Sequence, residues 1–260
     1  MAVEVPSSKV GLSLLVACTV GRGRGGDTRR CRFRKLAVKM KTKRLLLEMY
    51  RKLSEEFGPT GWWPARTLFE VAVGAILTQN TAWRNVEKSI RNLRRNKLLS
   101  ARSLSTIPSD ELAPLVRPAG YFRLKTVRLK NFVGFLHREY AGSMARMRRE
   151  PTDRLREKLL QVTGIGPETA DSILLYALGK PIFVVDAYTR RILSRHDLVE
   201  DSGEYEELRG FFERNLPRDV TLFKEFHALL VRVGSQFCKR EPLCDECPLN
   251  FLVRRRNGED

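Results

Sequence analysis

The chain is 260 residues long and carries 48 basic and 30 acidic side chains, a formal net charge of +18 at neutral pH. Its 42% hydrophobic and 30% charged residues are typical of a globular protein and exclude a disordered or collagen-like chain. No run reaches the ~18 consecutive apolar residues of a membrane-spanning helix, which excludes an integral membrane protein. The excess of positive charge favours a polyanionic partner such as nucleic acid over a merely solvated basic surface.

The first 39 residues differ in composition from the rest of the chain. They hold nine basic and two acidic residues, so +7 of the charge lies here and +11 remains for residues 40–260. Glycines alternate with arginines, and no apolar period is sustained. The run Val10–Cys18 is similar to the apolar part of a signal peptide, but no clear cleavage site follows it. We predict that residues 1–39 are a disordered basic arm; a natural start at Met40 and a targeting peptide are the alternatives.

From Met40 onward, apolar residues recur every three or four positions, which is the period of an amphipathic helix. The first such helix is expected to stop at Gly58-Pro59, and the apolar segment Thr67–Leu77 predicts a buried central helix. The β-branched run at 181–185 is too short and isolated to imply a sheet. The sequence therefore predicts an all-α fold, with further helices over residues 83–97, 109–116, 122–138, 152–162, 167–178, 186–195, 203–215 and 219–237.

A helical hairpin is predicted over residues 152–178. Gly164-Ile165-Gly166 forms a tight turn, and Pro167 opens the next helix, where its missing N–H does no harm. The glycines let the backbone approach a bulky group, and the free N–H groups of the turn and of the first helical residues, Thr169 included, are suited to an anion such as a DNA phosphate. A plain pair of packed helices explains the two glycines equally well.

Asp186 lies twenty residues after Gly166, behind an apolar run and ahead of Arg190 and Arg191. An aspartate in this place could simply cap the following helix. The Gly-Ile-Gly turn, this spacing and the Val-Asp pair together resemble the helix-hairpin-helix DNA glycosylases of the endonuclease III type, from about residue 40 to 249. The resemblance implies that Asp186 is the catalytic carboxylate, which stabilises oxocarbenium character at the sugar and activates a water. It also places both arginines beside that site as candidate DNA contacts.

The polar residues Gln79, Asn80 and Thr81 interrupt the helical pattern after the central helix. They could form an ordinary capped junction between two helices. The resemblance implies instead that this loop enters the duplex and fills the gap left by a flipped nucleotide. Gln79 and Asn80 are the candidate wedge residues because their amides can pair with the orphaned partner base.

The position two residues after the second hairpin glycine holds Glu168. Glycosylases of this family that also cleave the DNA backbone carry a lysine there, which forms a Schiff base; glutamate cannot. The sequence is similar instead to the 3-methyladenine DNA glycosylase branch, which combines a hairpin glutamate with aromatic residues. Trp62, Trp63 and Trp83 then fall at one base pocket, where indoles and a carboxylate suit a flat cationic purine. Alternatively, the first two tryptophans are core anchors, and Glu168 merely favours its helix N-terminus.

Three cysteines, Cys238, Cys244 and Cys247, follow the last long helix. Their spacing favours metal binding over disulfides. The resemblance implies a [4Fe–4S] cluster with four cysteines, but Val253 stands where the fourth is expected. A non-cysteine or exogenous fourth ligand, a three-iron cluster, zinc, or a loop without metal are the alternatives. A cluster here would fix a basic loop, with Lys239 among its candidate DNA contacts.

We therefore predict a two-lobed helix-hairpin-helix glycosylase domain over residues 40–249 with a C-terminal cysteine loop at 238–249 and a basic tail at 250–260. One lobe would comprise residues 67–183, and the other residues 40–66 with 184–237. The expected function is monofunctional hydrolysis of a damaged, alkylated base in base excision repair. The alternatives are an endonuclease III-like glycosylase and lyase for oxidised pyrimidines, and a non-catalytic module that binds damaged DNA. The expected partner is damaged double-stranded DNA, bound by a cytoplasmic, nucleoid-associated monomer that does not enter a membrane.

Overall fold

The computed structural model describes residues 28–200 and 202–257, and that part of the chain contains no β-strand. A 3-10 turn (Arg117–Ala119) precedes the sixth helix, and a π-helical turn (Ile173–Ala177) follows the ninth directly. These observations confirm the predicted all-α fold. In chain order the helices are α1 (Thr28–Phe57), α2 (Leu68–Leu77), α3 (Trp83–Arg95), α4 (Ala101–Thr106), α5 (Ser109–Val116), α6 (Phe122–Tyr140), α7 (Met144–Arg149), α8 (Thr152–Leu160), α9 (Pro167–Ser172), α10 (Ala187–Arg195), α11 (Tyr205–Asn215), α12 (Val220–Gln236) and α13 (Asn250–Asn257).

Three short helices were not indicated by the sequence: α4, α7 and α13. Each has only six to eight residues, too few for an apolar period to be recognised. Two of them begin at a serine whose hydroxyl accepts a hydrogen bond from the first turn, Ser100 in α4 and Ser143 in α7. The third, α13, occupies most of the segment predicted as a basic tail.

The first helix starts earlier than expected. Its backbone is helical from Thr28, well before Met40, whereas residues 28–39 were predicted to belong to a disordered arm. The physical reason lies in the composition, because the glycines that alternate with arginine end at Gly26 and no glycine or proline follows until Gly58. Residues 1–27, with the apolar run Val10–Cys18, lie outside the described residues.

The central helix α2 organises the first group of helices. Its residues from Phe69 to Leu77 are all buried, and it packs against α3, α6, α9 and the π-helical turn. In the second group, α1 packs against α11 and α12, and α12 packs against α10. The two groups are the two lobes of the fold, and they meet where α2 and α12 both contact the π-helical turn.

A buried polar network fixes the hairpin relative to the segment before Asp186. The carboxylate of Asp171 in α9 is fully buried and accepts hydrogen bonds from Arg156 Nε and Nη2 at 2.7 and 3.1 Å. It also accepts one from the Tyr205 hydroxyl at 2.9 Å, and that hydroxyl receives the Val185 N–H at 3.4 Å. A buried carboxylate held by three donors is costly to disturb, so the network is a rigid support. None of the described helices is both long and apolar enough to cross a membrane.

Candidate active site

Asp186 lies at the junction between the extended segment 181–185 and α10. Its Oδ1 atom accepts a hydrogen bond from the Thr189 N–H at 2.7 Å, so the residue is the N-cap of α10. Within the described residues no donor bonds the second oxygen, Oδ2. The positive end of the α10 dipole faces this carboxyl group. One oxygen therefore holds the helix, and the other is available for chemistry.

Glu168 lies close to Asp186, on the first turn of α9. The residue as a whole is exposed, yet its carboxyl end is largely desolvated by the surrounding protein. This desolvation, followed by the charge of Asp186, raises the pKa of Glu168 to about 7. The structure thus brings the two predicted carboxylates together, and near neutral pH Glu168 exchanges between its protonated and ionised forms.

The three tryptophans form one cluster. The ring centroids of Trp62 and Trp83 are 4.6 Å apart, and Trp63 lies 5.2 Å from each of the other two. The rings meet at tilted or edge-on angles. A base sandwiched between two rings needs about 7 Å, twice the usual contact distance. A bound base must therefore stack on an outer face of the cluster or displace one ring.

Glu225 of α12 positions the loop that carries two of these tryptophans. Its Oε2 atom accepts hydrogen bonds from the N–H and the hydroxyl of Thr60, both at 2.9 Å. The same hydroxyl oxygen accepts the Trp62 N–H at 3.3 Å. This contact could not be recognised from the sequence, because Thr60 and Glu225 are 165 positions apart.

Two further residues of the site were missed by the sequence reasoning, Tyr176 and His227. Tyr176 belongs to the π-helical turn, and its ring lies 5.3 Å from that of Trp63. Its hydroxyl is 2.7 Å from Nδ1 of His227, which is buried in α12. Burial lowers the pKa of His227, and the charge of Asp186 opposes this effect. Both residues read as core in the sequence; a π-helical turn, which is frequent at functional sites, is visible only in the backbone.

The polar loop at 78–81 is anchored by side-chain hydrogen bonds of Gln79. The side-chain amide of Gln79 donates to Gly164 O at 3.0 Å and to Thr169 Oγ1 at 2.8 Å, and its oxygen accepts from Arg128. Thr169 is itself buried. Gln79 and Thr169, both predicted to contact DNA, therefore join the loop to the hairpin.

Lys125 of α6 also anchors this loop, through three hydrogen bonds. Its Nζ atom donates to Leu77 O at 2.8 Å, Ala119 O at 2.7 Å and Thr81 Oγ1 at 2.5 Å. Burial, followed by the charge of Arg128, lowers the pKa of Lys125 to about 8. Thr81, a third predicted DNA contact, is thus also an anchor of the loop.

The tip of the polar loop remains exposed. Asn80 is exposed and has a positive φ of 51°. Tyr121, which precedes α6, is also exposed, with 71% of its surface accessible and a φ of 44°. Thr81 connects the two, because its hydroxyl bonds Ala119 O, two residues before Tyr121. Two exposed side chains on strained backbone therefore project from one rigid platform.

The hairpin turn has the predicted geometry. Gly164 has a φ of +93°, and a Cβ there would lie 2.4 Å from Arg128 Cγ, so only glycine fits. Ile165 is buried and anchors the turn, with its N–H bonded to Val162 O at 2.9 Å. Gly166 is the N-cap of α9, in an extended conformation that other residues can adopt.

The predicted basic contacts have different environments. Arg190 bonds Gly203 O, and Arg191 bonds Cys238 O at 2.7 Å and Gly234 O at 2.8 Å. Both arginines are thus engaged with backbone carbonyls. Lys239 is exposed.

The three cysteines line one cavity of about 290 Å³ between α10, α12 and α13. Cys238 is buried, Cys247 half-buried and Cys244 exposed. His196 and Val253 line the same cavity. Among the residues of the structure, no three Cys, His, Asp or Glu side chains converge closely enough to hold a single metal ion.

The sequence matches the HhH-GPD superfamily of base excision DNA repair proteins over residues 73–218. It is 45% identical over 207 residues to a candidate DNA repair glycosylase of Methanocaldococcus jannaschii, covering 79% of this chain and 94% of that protein. The structure is similar to that of an H. pylori 3-methyladenine DNA glycosylase bound to 1,N6-ethenoadenine, with a TM-score of 0.65, 30% identity and coverage of 75% of this chain and 97% of the other. An endonuclease III–DNA complex shares the fold, with a TM-score of 0.70, 22% identity and coverage of 83% and 98%.

Proposed function

The chain belongs to the HhH-GPD superfamily and is a DNA glycosylase of base excision repair; from this premise, we propose that it hydrolyses the N-glycosidic bond of an alkylated, cationic purine and leaves the DNA backbone intact. The observation that carries the proposal is the pair of carboxyl groups, Asp186 and Glu168, together with a cluster of three tryptophans that contacts Tyr176, a residue on which the charge of Asp186 also acts. The H. pylori protein whose structure is similar is a 3-methyladenine DNA glycosylase, which supports the same substrate class.

Cation recognition follows from the electrostatics of the pocket. An alkylated purine carries positive charge, and the faces of indole rings and an ionised carboxylate both attract a flat cation. The cation would favour the ionised form of Glu168, whose pKa lies near 7 without it. A neutral purine gives no such gain, so the pocket discriminates by charge.

The hydrolytic step uses Asp186. As the bond between C1′ and the base nitrogen breaks, the base leaves with the electron pair and the sugar gains oxocarbenium character. The carboxylate stabilises this charge, and its Oδ2 atom accepts a proton from the water whose oxygen bonds C1′. An alkylated base is already a good leaving group, so the site needs no strong acid.

Absence of lyase chemistry follows from the residue at position 168. Lyase activity in this family needs an amine that attacks C1′ and forms a Schiff base. Glu168 has no amine, and Lys125 donates three hydrogen bonds inside the loop platform. We therefore expect no covalent enzyme–DNA intermediate.

Base flipping is assigned to the exposed pair Asn80 and Tyr121. Extrusion of a base leaves a gap that must be filled, and a planar ring and an amide suit the two faces of that gap. Gln79 and Thr81 serve as supports rather than as wedges because their polar atoms are already bonded within the protein. Phosphate binding is assigned to the hairpin turn at 164–166 and to exposed lysines such as Lys239.

The cysteine cavity fits an iron–sulfur cluster better than a single ion. A cluster separates its thiolate ligands more widely than zinc does, in agreement with thiols that line a cavity without converging. Three cysteines would hold it, and we propose His196, which lines the same cavity, as the fourth ligand. Arg195 donates a hydrogen bond to Cys238 Sγ at 3.4 Å. When bound, the cluster would hold the loop at 238–249 in one conformation.

Three measurements test these proposals. Incubation with methylated duplex DNA should release free 3-methyladenine, and Asp186→Asn should abolish the release. Borohydride trapping on abasic DNA should give no adduct; a covalent adduct would refute the monofunctional mechanism. Iron and sulfide analysis should find about four iron atoms per chain, lost in Cys244→Ser and His196→Ala. Zinc, or no metal at all, would refute the cluster.

A further inference from the structure

The imidazole of His227 has one nitrogen that the protein leaves without a partner. The residue is 6% exposed, and within the described residues nothing bonds its Nε2 atom. A buried polar atom without a hydrogen bond is costly, and such atoms are rare in folded proteins. A ligand or a water bound in the functional state is the usual explanation.

The hydrogen bonds of Tyr176 determine which proton His227 carries. The Tyr176 hydroxyl lies 3.1 Å from Lys224 O and 2.7 Å from His227 Nδ1. A carbonyl oxygen can only accept, so the hydroxyl proton points to Lys224 and the hydroxyl oxygen accepts from Nδ1–H. The neutral ring then presents a lone pair at Nε2. The unpartnered atom is therefore an acceptor that requires a donor.

The helix pairing indicates where this acceptor lies. Tyr188 and Arg191 of α10 both contact Gly234 of α12, and Arg195 bonds Lys239 O just beyond the end of α12, so the two segments run in the same direction along their contact. Continued towards the start of both helices, this pairing brings Asp186 to the part of α12 that carries His227. The ring of Trp63 contacts that of Tyr176, whose hydroxyl bonds His227 Nδ1. His227 is thus linked to the tryptophan cluster through Tyr176, and the charge of Asp186 acts on its imidazole.

We propose that Nε2 of His227 and Oδ2 of Asp186 hold the same water molecule, which is the nucleophile of the glycosylase reaction. A water has two protons to donate, and two acceptors orient its lone pair towards C1′. Asp186 takes one proton as the oxygen bonds C1′, and His227 keeps the other hydrogen bond without changing its charge. This role rests on the proposed hydrolytic function, to which it adds a water-positioning residue.

The test uses two substitutions, each of which retains a hydrogen-bonding group at the position of one imidazole nitrogen. In His227→Asn the amide reaches the Nδ1 position and keeps the bond to Tyr176, but no acceptor remains at Nε2. In His227→Gln the amide oxygen replaces Nε2, and the bond to Tyr176 is lost. The readouts are single-turnover release of 3-methyladenine from methylated duplex DNA, Kd for the same duplex, and Tm. Wild type, Asp186→Asn and a control at a distant histidine, His137→Asn, complete the set.

We expect His227→Asn to slow base release about 100-fold at unchanged Kd, the lower end of general base effects, and His227→Gln to stay within about tenfold of wild type. A wild-type rate for His227→Asn would refute the role. A loss of activity in His227→Gln as large as that in Asp186→Asn would also refute the role. If His227→Asn fails to fold, the rate of His227→Gln alone decides the question. A wild-type protein that releases no base would instead refute the proposed function, and the role of His227 with it.

Discussion

Raising the pH from 6 to 8 is expected to increase kcat/KM for a methylated, cationic purine about tenfold, because Glu168 ionises across this range. Crowding by protein atoms and the charge of Asp186 raise the pKa of this carboxyl group to about 7. The group is therefore about one-tenth ionised at pH 6 and about nine-tenths at pH 8. Only the ionised form attracts the cationic base.

The sign follows from the direction of the shift. A carboxyl group with a raised pKa is neutral over a wider acidic range, so the attraction is lost as the pH falls through 7. The ratio kcat/KM is the appropriate quantity because it reports the pKa values of the free enzyme. In the enzyme–substrate complex the cation would lower the pKa of Glu168, so kcat should depend less on pH.

The assay measures release of radiolabelled base at limiting DNA concentration, from pH 5.5 to 8.5 at constant ionic strength. Glu168→Gln is the matched control: its amide cannot ionise, so kcat/KM should be low and level through pH 7. A neutral lesion, 1,N6-ethenoadenine, should show no such rise with the wild-type enzyme. If Glu168→Gln retained the rise seen in wild type, another group would titrate and the reasoning would be refuted.

Three further variants test the supports of the site. Gly164→Ala should lower the free energy of unfolding in denaturant by about 1–3 kcal/mol, because position 164 has a positive φ and an added Cβ would clash with Arg128. The control Gly166→Ala should leave the stability unchanged, because nothing lies within 4 Å of an added Cβ there. Asp171→Asn should cost about 3 kcal/mol by leaving a buried guanidinium poorly paired; a loss below about 1 kcal/mol would contradict a rigid network. Asn80→Ala should slow base release from a fully paired duplex at unchanged Tm, and it should slow release less when the damaged base lies opposite an abasic site. Equal slowing on the two duplexes would argue against a wedge role for Asn80.

The sequence located the parts of the site that depend on local backbone rules. A Gly-x-Gly turn, a proline at the first helical position and a helix-capping aspartate leave a readable pattern, and these place Glu168 and Asp186. Tyr176 and His227 leave none, because their hydrogen bond joins positions 51 residues apart and both occupy apolar stretches of helix. Gln79 was recognised as polar and special, but only the fold shows that its amide faces the hairpin, 85 positions away.

Asp186 combines a structural role, as the N-cap of α10, with the catalytic role that we propose for it. The cap bond to Thr189 holds the carboxylate in one orientation, so the proposed role of Oδ2 would cost little further side-chain entropy on substrate binding. Substitution by asparagine preserves the cap, since asparagine is an equally good N-cap, and removes the negative charge. The Asp186→Asn variant therefore separates the two roles. It should fold with unchanged Tm and bind duplex DNA, yet release no base. A fall in both stability and activity would mean that the two roles cannot be separated at this position.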